Sequence, residues 1–208
     1  MHKFSLLLLL LLPAPAIYGF QQDHAAHHQM MSAPKRYTRA SAPYRLPEVT
    51  LVDQNGDRVR LQTLLNGSEP VALNFVFTTC TTICPVMTAT FSKMRSALGS
   101  EAAALRMLSV SIDPEYDTPG ALREYAGKFH AGPNWTFLTG TLEDVIAVQK
   151  AFDAFTGDKN NHRPLTFLRG RGAPEWVRID GLANGSELAA EVRELLHGGD
   201  AAAAHHHH

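Results

Sequence analysis

A near-continuous apolar run, Val71-Ala-Leu-Asn-Phe-Val-Phe77, leads through Thr78-Thr79 into Cys80-Thr-Thr-Ile-Cys84-Pro85. Such a run suits a strand covered on both faces. Beyond it, Val86, Met87, Phe91, Met94 and Leu98 recur at helical spacing, so a helix is predicted over Pro85 to Leu98. The chain has no other cysteines. Two thiols where a strand hands over to a helix can either close a disulfide or grip one soft metal ion.

The surrounding pattern alternates strands with helices. Val49 to Val52 and Arg58 to Leu61 flank Asn55-Gly56, a pair that tolerates the positive φ of a tight hairpin turn. A short helical turn is predicted over Gln62 to Leu65. Leu105 to Ile112 reads as a second buried strand. Thr118 caps a helix with Pro119 at its first position and Leu122, Tyr125 and Phe129 on one face. Trp135 to Leu138 is a short strand, and Thr141 caps a helix running to about Phe155. Leu165 to Leu168 and Trp176 to Ile179 form an antiparallel pair, and a last helix covers Ser186 to about Leu196. These elements predict an α/β, thioredoxin-like fold: a mixed central sheet flanked by helices, with an N-terminal β-hairpin.

The first residues read as a processing signal. A polar start at His2-Lys3, the apolar run Leu6 to Leu12 and the small residues Ala14-Pro-Ala16 have the three-part layout of a secretory leader. The run is shorter than the roughly 20 apolar residues of a membrane span, so no stable span is expected. Residues 1–19 are taken as a signal peptide and 20–45 as a disordered leader containing His24, His27, His28, Met30 and Met31. Residues 46–197 make the domain, and 198–208 a disordered tail ending in His205 to His208. Export, in bacteria to the periplasm, follows. The histidine-rich ends are either copper-scavenging tails or incidental polar segments.

The formal net charge of -1 argues against a nucleic-acid partner, whose footprint is a basic face. In an oxidising compartment an even cysteine count usually means a structural disulfide. A bridge closing so short a loop stabilises a domain of this size little, so the cysteines are read as chemical. Thiolates suit Cu(I), and Cu(II) also wants imidazole nitrogen. Two thiolates and one histidine would serve both states. The third ligand is open among His130, His162, His197 and the tail histidines. Of these, His162 lies in the polar loop Gly157-Asp-Lys-Asn-Asn-His162-Arg-Pro164, just before a strand, and in a thioredoxin-like topology that loop packs beside the cysteine turn. Asp117, before Thr118-Pro119, reads as a helix-start residue, and Met87 and Met94 read as core.

Three segments in order, Thr78-Thr-Cys80-Thr-Thr-Ile-Cys84-Pro85, Ser109-Val-Ser-Ile-Asp113-Pro114-Glu-Tyr-Asp117-Thr118-Pro119 and the late His162, resemble the Sco/SenC family over residues 45 to 196. The resemblance implies a copper metallochaperone serving the binuclear copper site of cytochrome oxidase subunit II. It implies Cys80, Cys84 and His162 as ligands of Cu(I) and Cu(II), and Asp113 as an outer-shell or partner-contact group. The chain carries Asn161-His162 where many members have Asp-His. The alternative is a thiol-disulfide oxidoreductase that reduces the acceptor's cysteines, with Cys80 and Cys84 as its redox pair. A thiol peroxidase ranks below both, because no arginine adjoins Cys80 in sequence.

Overall fold

The computed structural model describes residues 35–204. The expected signal peptide, the His24 to Met31 cluster and the terminal His205 to His208 lie outside the described residues. In chain order the strands are β1 (Tyr37–Ala42), β2 (Thr50–Asp53), β3 (Arg58–Arg60), β4 (Val71–Val76), β5 (Arg106–Ser111), β6 (Trp135–Thr139), β7 (Leu165–Arg169) and β8 (Trp176–Gly181). The helices are α1 (Leu61–Leu65), α2 (Ile83–Leu98), α3 (Pro119–Lys128), α4 (Leu142–Ala151) and α5 (Gly185–Ala204).

The strands form one mixed sheet in the order β1-β8-β7-β4-β5-β6-β2-β3. All six residues of β4 are buried, as a doubly covered strand requires. On one face Phe75, Phe152, Phe167 and Trp176 pack with Leu51, Leu61 and Leu65. On the other, Phe91 and Met94 of α2 meet Trp135, Phe137, Leu188 and Val192. This is the expected thioredoxin-like α/β architecture, with the β2–β3 hairpin on the outer side of β6. Gly56 takes φ 94° in its turn, and the Asp53 carboxylate accepts the N–H groups of Asn55 and Asp57.

Strand direction determines where chemistry can gather. β4, β5 and β6 are mutually parallel, so their C-terminal ends share one edge of the sheet. β7 runs antiparallel to β4 and therefore starts at that edge. β8, antiparallel to β7, ends there, and β1, antiparallel to β8, begins there. The Cys80 loop, the Asp113 turn and the approach to β7 through His162 thus meet at one edge.

Three boundaries differ from the sequence reading. β1 is a strand inside the segment expected to be a disordered leader. β1 carries little apolar signal, since only Tyr37 is buried. It is held instead by Glu191 of α5, which accepts from Tyr37 Oη at 3.1 Å and Arg39 Nε at 2.8 Å. α4 stops at Ala151 rather than near Phe155. Asp153 turns left-handed (φ 51°), and Ala154 N–H reaches back to Gln149 O at 2.8 Å, a Schellman closure. α5 continues past Leu196 to Ala204.

Candidate metal centre

Cys80 sits in the loop leaving β4, with its N–H on Phe77 O at 3.2 Å. The helix that follows starts at Ile83, so Cys84 lies in its first turn, as the spacing predicts. The missing N–H of Pro85 falls where helical donors have no intrahelical partner. Thr82, the N-cap, makes no side-chain cap bond. Its hydroxyl lies 3.6 Å from Cys80 Sγ, and the Cys84 N–H points at the same sulfur from 3.4 Å. The Cys80 sulfur thereby receives donors that a capping oxygen would ordinarily take.

The two thiols, both free in this structure, have opposite characters. Burial pushes the Cys80 thiol up, but the Cys84 and Thr82 amides, helped by the Thr82 hydroxyl and Cys84 thiol, outweigh it and bring it to about 7. Cys84 is fully buried. Burial pushes its thiol well above the usual range against a Phe77 backbone contact, and the charges of Cys80 and Asp117 add to the rise. Cys80 is the accessible, thiolate-prone sulfur and Cys84 the protected one.

The structure takes His162 to the same edge. Its Nε2 lies 3.0 Å from Phe75 O. A carbonyl only accepts, so Nε2 carries the hydrogen, and in the neutral ring Nδ1 keeps the lone pair. Burial lowers the His162 pKa against that hydrogen bond, which favours the neutral ring. A ring whose other nitrogen donates to a backbone carbonyl is the usual orientation of a metal-ligating histidine. Among the described residues, no group of three His, Cys, Asp or Glu side chains stands close enough to hold a metal ion. The cysteines are together; the histidine shares their edge without closing a triad.

The other histidine candidates lie elsewhere. His130 is exposed and ends α3 in a left-handed closure at φ 53°. His197 lies 3.2 Å from Glu101.

Asp113 is buried and paired with Lys159, Oδ2 to Nζ 2.6 Å. Asp117 is not a mere helix-start residue, since Thr118 caps α3. It is fully buried and accepts from Thr78 and from Ser111 Oγ at 2.6 Å, bracing the Cys80 loop. Sequence reasoning missed this role and that of Lys159, because each depends on a partner 39 or more residues away.

The SCO1/SenC family model matches residues 38–197. The chain belongs to the SCO1/SenC family. It is 38% identical over 104 residues to the SCO1 protein homolog of Bacillus subtilis (strain 168), covering 50% of this chain and 53% of that protein. The chain thus spans about half the length of the relatives it matches in sequence. In structure it is similar to BsSco, a member of the Sco family of cytochrome c oxidase assembly proteins in which a disulfide switch is identified. That likeness has TM-score 0.60 and 29% identity, over 76% of this chain and 96% of BsSco. It is also similar to Bradyrhizobium japonicum ScoI with copper bound: TM-score 0.58, 25% identity, over 75% of this chain and 99% of ScoI. These SCO1/SenC relatives share the thioredoxin-like fold described above. Among the described residues, no helix is long and apolar enough to cross a membrane.

Proposed function

We propose that this protein is an exported, periplasmic copper carrier. In this reading Cys80, Cys84 and the Nδ1 of His162 hold one copper ion and pass it to an apo-cuproprotein, of which the binuclear copper site of cytochrome oxidase subunit II is the foremost candidate. The observation that carries the reading is the thiol pair where the β4 loop enters α2, one sulfur accessible and one buried, with His162 at the same edge of the sheet and its Nε2 committed to Phe75 O. The copper-bound ScoI and the assembly role of the Sco family support the cargo and the client.

Copper is cargo here, so no covalent turnover is required. Loading removes the proton from Cys84, whose burial resists an isolated thiolate but not one neutralised by Cu(I). Unloading begins at Cys80, the sulfur an incoming acceptor ligand can reach. Asp113 acts through Lys159 on the loop before β7. The test is Cu(I) titration against a competing chelator. One tightly held equivalent, lost in Cys80→Ser, supports the carrier; no tight binding overturns it.

A second reading rests on the same thiols. An accessible sulfur near pKa 7 beside a protected one suits attack on a partner disulfide and resolution by the second cysteine. The acceptor's oxidised cysteines would be reduced as Cys80 and Cys84 become a disulfide. A thiol-exchange assay on an oxidised acceptor peptide separates this activity from copper transfer.

A further inference from the structure

Resting on the carrier reading, we propose that Lys159 is the positioning residue for the histidine arm of the site, governing retention of Cu(II) and not of Cu(I). His162 follows a single 3-10 turn, Lys159–Asn161. The turn is capped from within by Asp158, whose Oδ1 accepts the Asn160 N–H at 2.8 Å. Asp158, Asn160 and Asn161 are all exposed, so the turn has no apolar anchor.

Its anchor is the Lys159 side chain. Nζ lies 2.6 Å from Asp113 Oδ2, 4.8 Å from the Tyr116 ring centroid and 5.8 Å from that of Phe77. Phe77 opens the loop to Cys80, and Asp113 and Tyr116 belong to the turn after β5. The Phe77 ring is also 6.4 Å from the His162 ring. One ammonium therefore joins the three segments that converge on the site. The Asp113 side chain is only 6% exposed, so removing Lys159 leaves a buried carboxylate unpaired and takes from the turn its tie to the Asp113 segment, with His162 left to its Nε2 bond to Phe75 O.

The cation on the other side of His162 is differently placed. Arg163 pairs with Asp180 but is 51% exposed, where solvent screening leaves an ion pair little weight. The turn is thus held from its Lys159 end.

The consequence is selective because the two copper states need the arm differently. Two thiolates hold Cu(I) without help, whereas Cu(II) calls on the imidazole. A displaced His162 therefore shows in Cu(II) alone.

The experiment follows the Cu(II)–thiolate charge-transfer absorption of the full chain, a signal the terminal histidines do not produce, under chelator competition, alongside Cu(I) competition. In Lys159→Met, Cu(II) affinity should fall by about tenfold or more, the range for lost outer-shell partners, with Cu(I) affinity unchanged. Asp113→Asn should reproduce the split, and the double variant should be no worse than either single one. Lys159→Arg should restore it, and Arg163→Met should match the parent. Parallel loss of both ions in Lys159→Met, or an equal effect in Arg163→Met, overturns the inference. So does unchanged Cu(II) binding in Lys159→Met while His162→Ala loses it, which leaves the carrier reading standing. A parent protein with neither the absorption nor tight Cu(I) binding overturns the carrier reading and the inference together.

Discussion

Asp117 grips Thr78 at two points: its carboxylate accepts the Thr78 N–H at 3.1 and 3.2 Å and the hydroxyl at 2.5 Å, two residues before Cys80. Asp117→Ala would strand these donors and the Ser111 hydroxyl without an acceptor. Leaving buried donors unsatisfied costs about 1–3 kcal/mol each before relaxation, so a loss of about 2–4 kcal/mol is expected in denaturant unfolding. Asp117→Asn, which keeps an acceptor oxygen, should lose less. A stability equal to the parent's in Asp117→Ala would show that the loop does not depend on this grip.

Alkylation should separate the two thiols. The Cys80 thiolate fraction grows as pH rises through about 7, so the rate of its modification by iodoacetamide should climb over that range and then level. Cys84, fully buried and shifted upward, should stay unmodified until the protein unfolds. Peptide mapping after a timed pulse reads both rates; comparable rates at pH 7 would refute the assigned asymmetry.

Copper loading should release protons in a pH-dependent number. Below pH 7 both thiols are protonated and Cu(I) should displace about two protons; well above it Cys80 is already ionised and the number should approach one. Calorimetry in buffers of different ionisation enthalpy measures the count. A number that does not change between pH 6 and 8 would contradict the prediction.

His162→Ala should weaken Cu(II) binding more than Cu(I) binding, by about tenfold or more, because the thiolates alone suffice for Cu(I). Chelator competition in the two oxidation states makes the comparison. Unchanged Cu(II) binding would remove His162 as a third ligand.

Glu191→Ala should loosen β1. Tyr37, Arg39 and, at 3.6 Å, Lys35 converge on this carboxylate, whose side chain is 6% exposed. The expected loss is about 1–3 kcal/mol, accompanied by faster amide exchange across Tyr37–Ala42 than elsewhere in the sheet. Uniform exchange across all eight strands would argue against a local anchor.

The parts legible in the sequence are those carried by local repetition. β4 and α2 show themselves through periodicity, α3 and α4 through Thr118 and Thr141, which cap them as expected. The cysteine turn followed from its place between β4 and α2. What was hidden depends on contacts distant in sequence. β1 has one buried side chain and needs Glu191 from the far end of the chain. Asp117 looks like a helix preface until Thr78 is folded against it. Lys159 is one polar residue among several in its loop until Asp113 and Tyr116 arrive from 43 or more positions away. Periodicity reports burial; it is silent on which buried carboxylate meets which donor.

The direction of β1 decides how the molecule can be handled on a support. β1 starts at the edge that bears Cys80, whereas α5 runs away from it, its Leu195 carbonyl beside Gly170 just past the far end of β7. A graft made ahead of Tyr37 would turn the sulfurs toward the surface it is fixed to, and one made beyond α5 would turn them outward. The choice of terminus is a choice of which way the cargo faces.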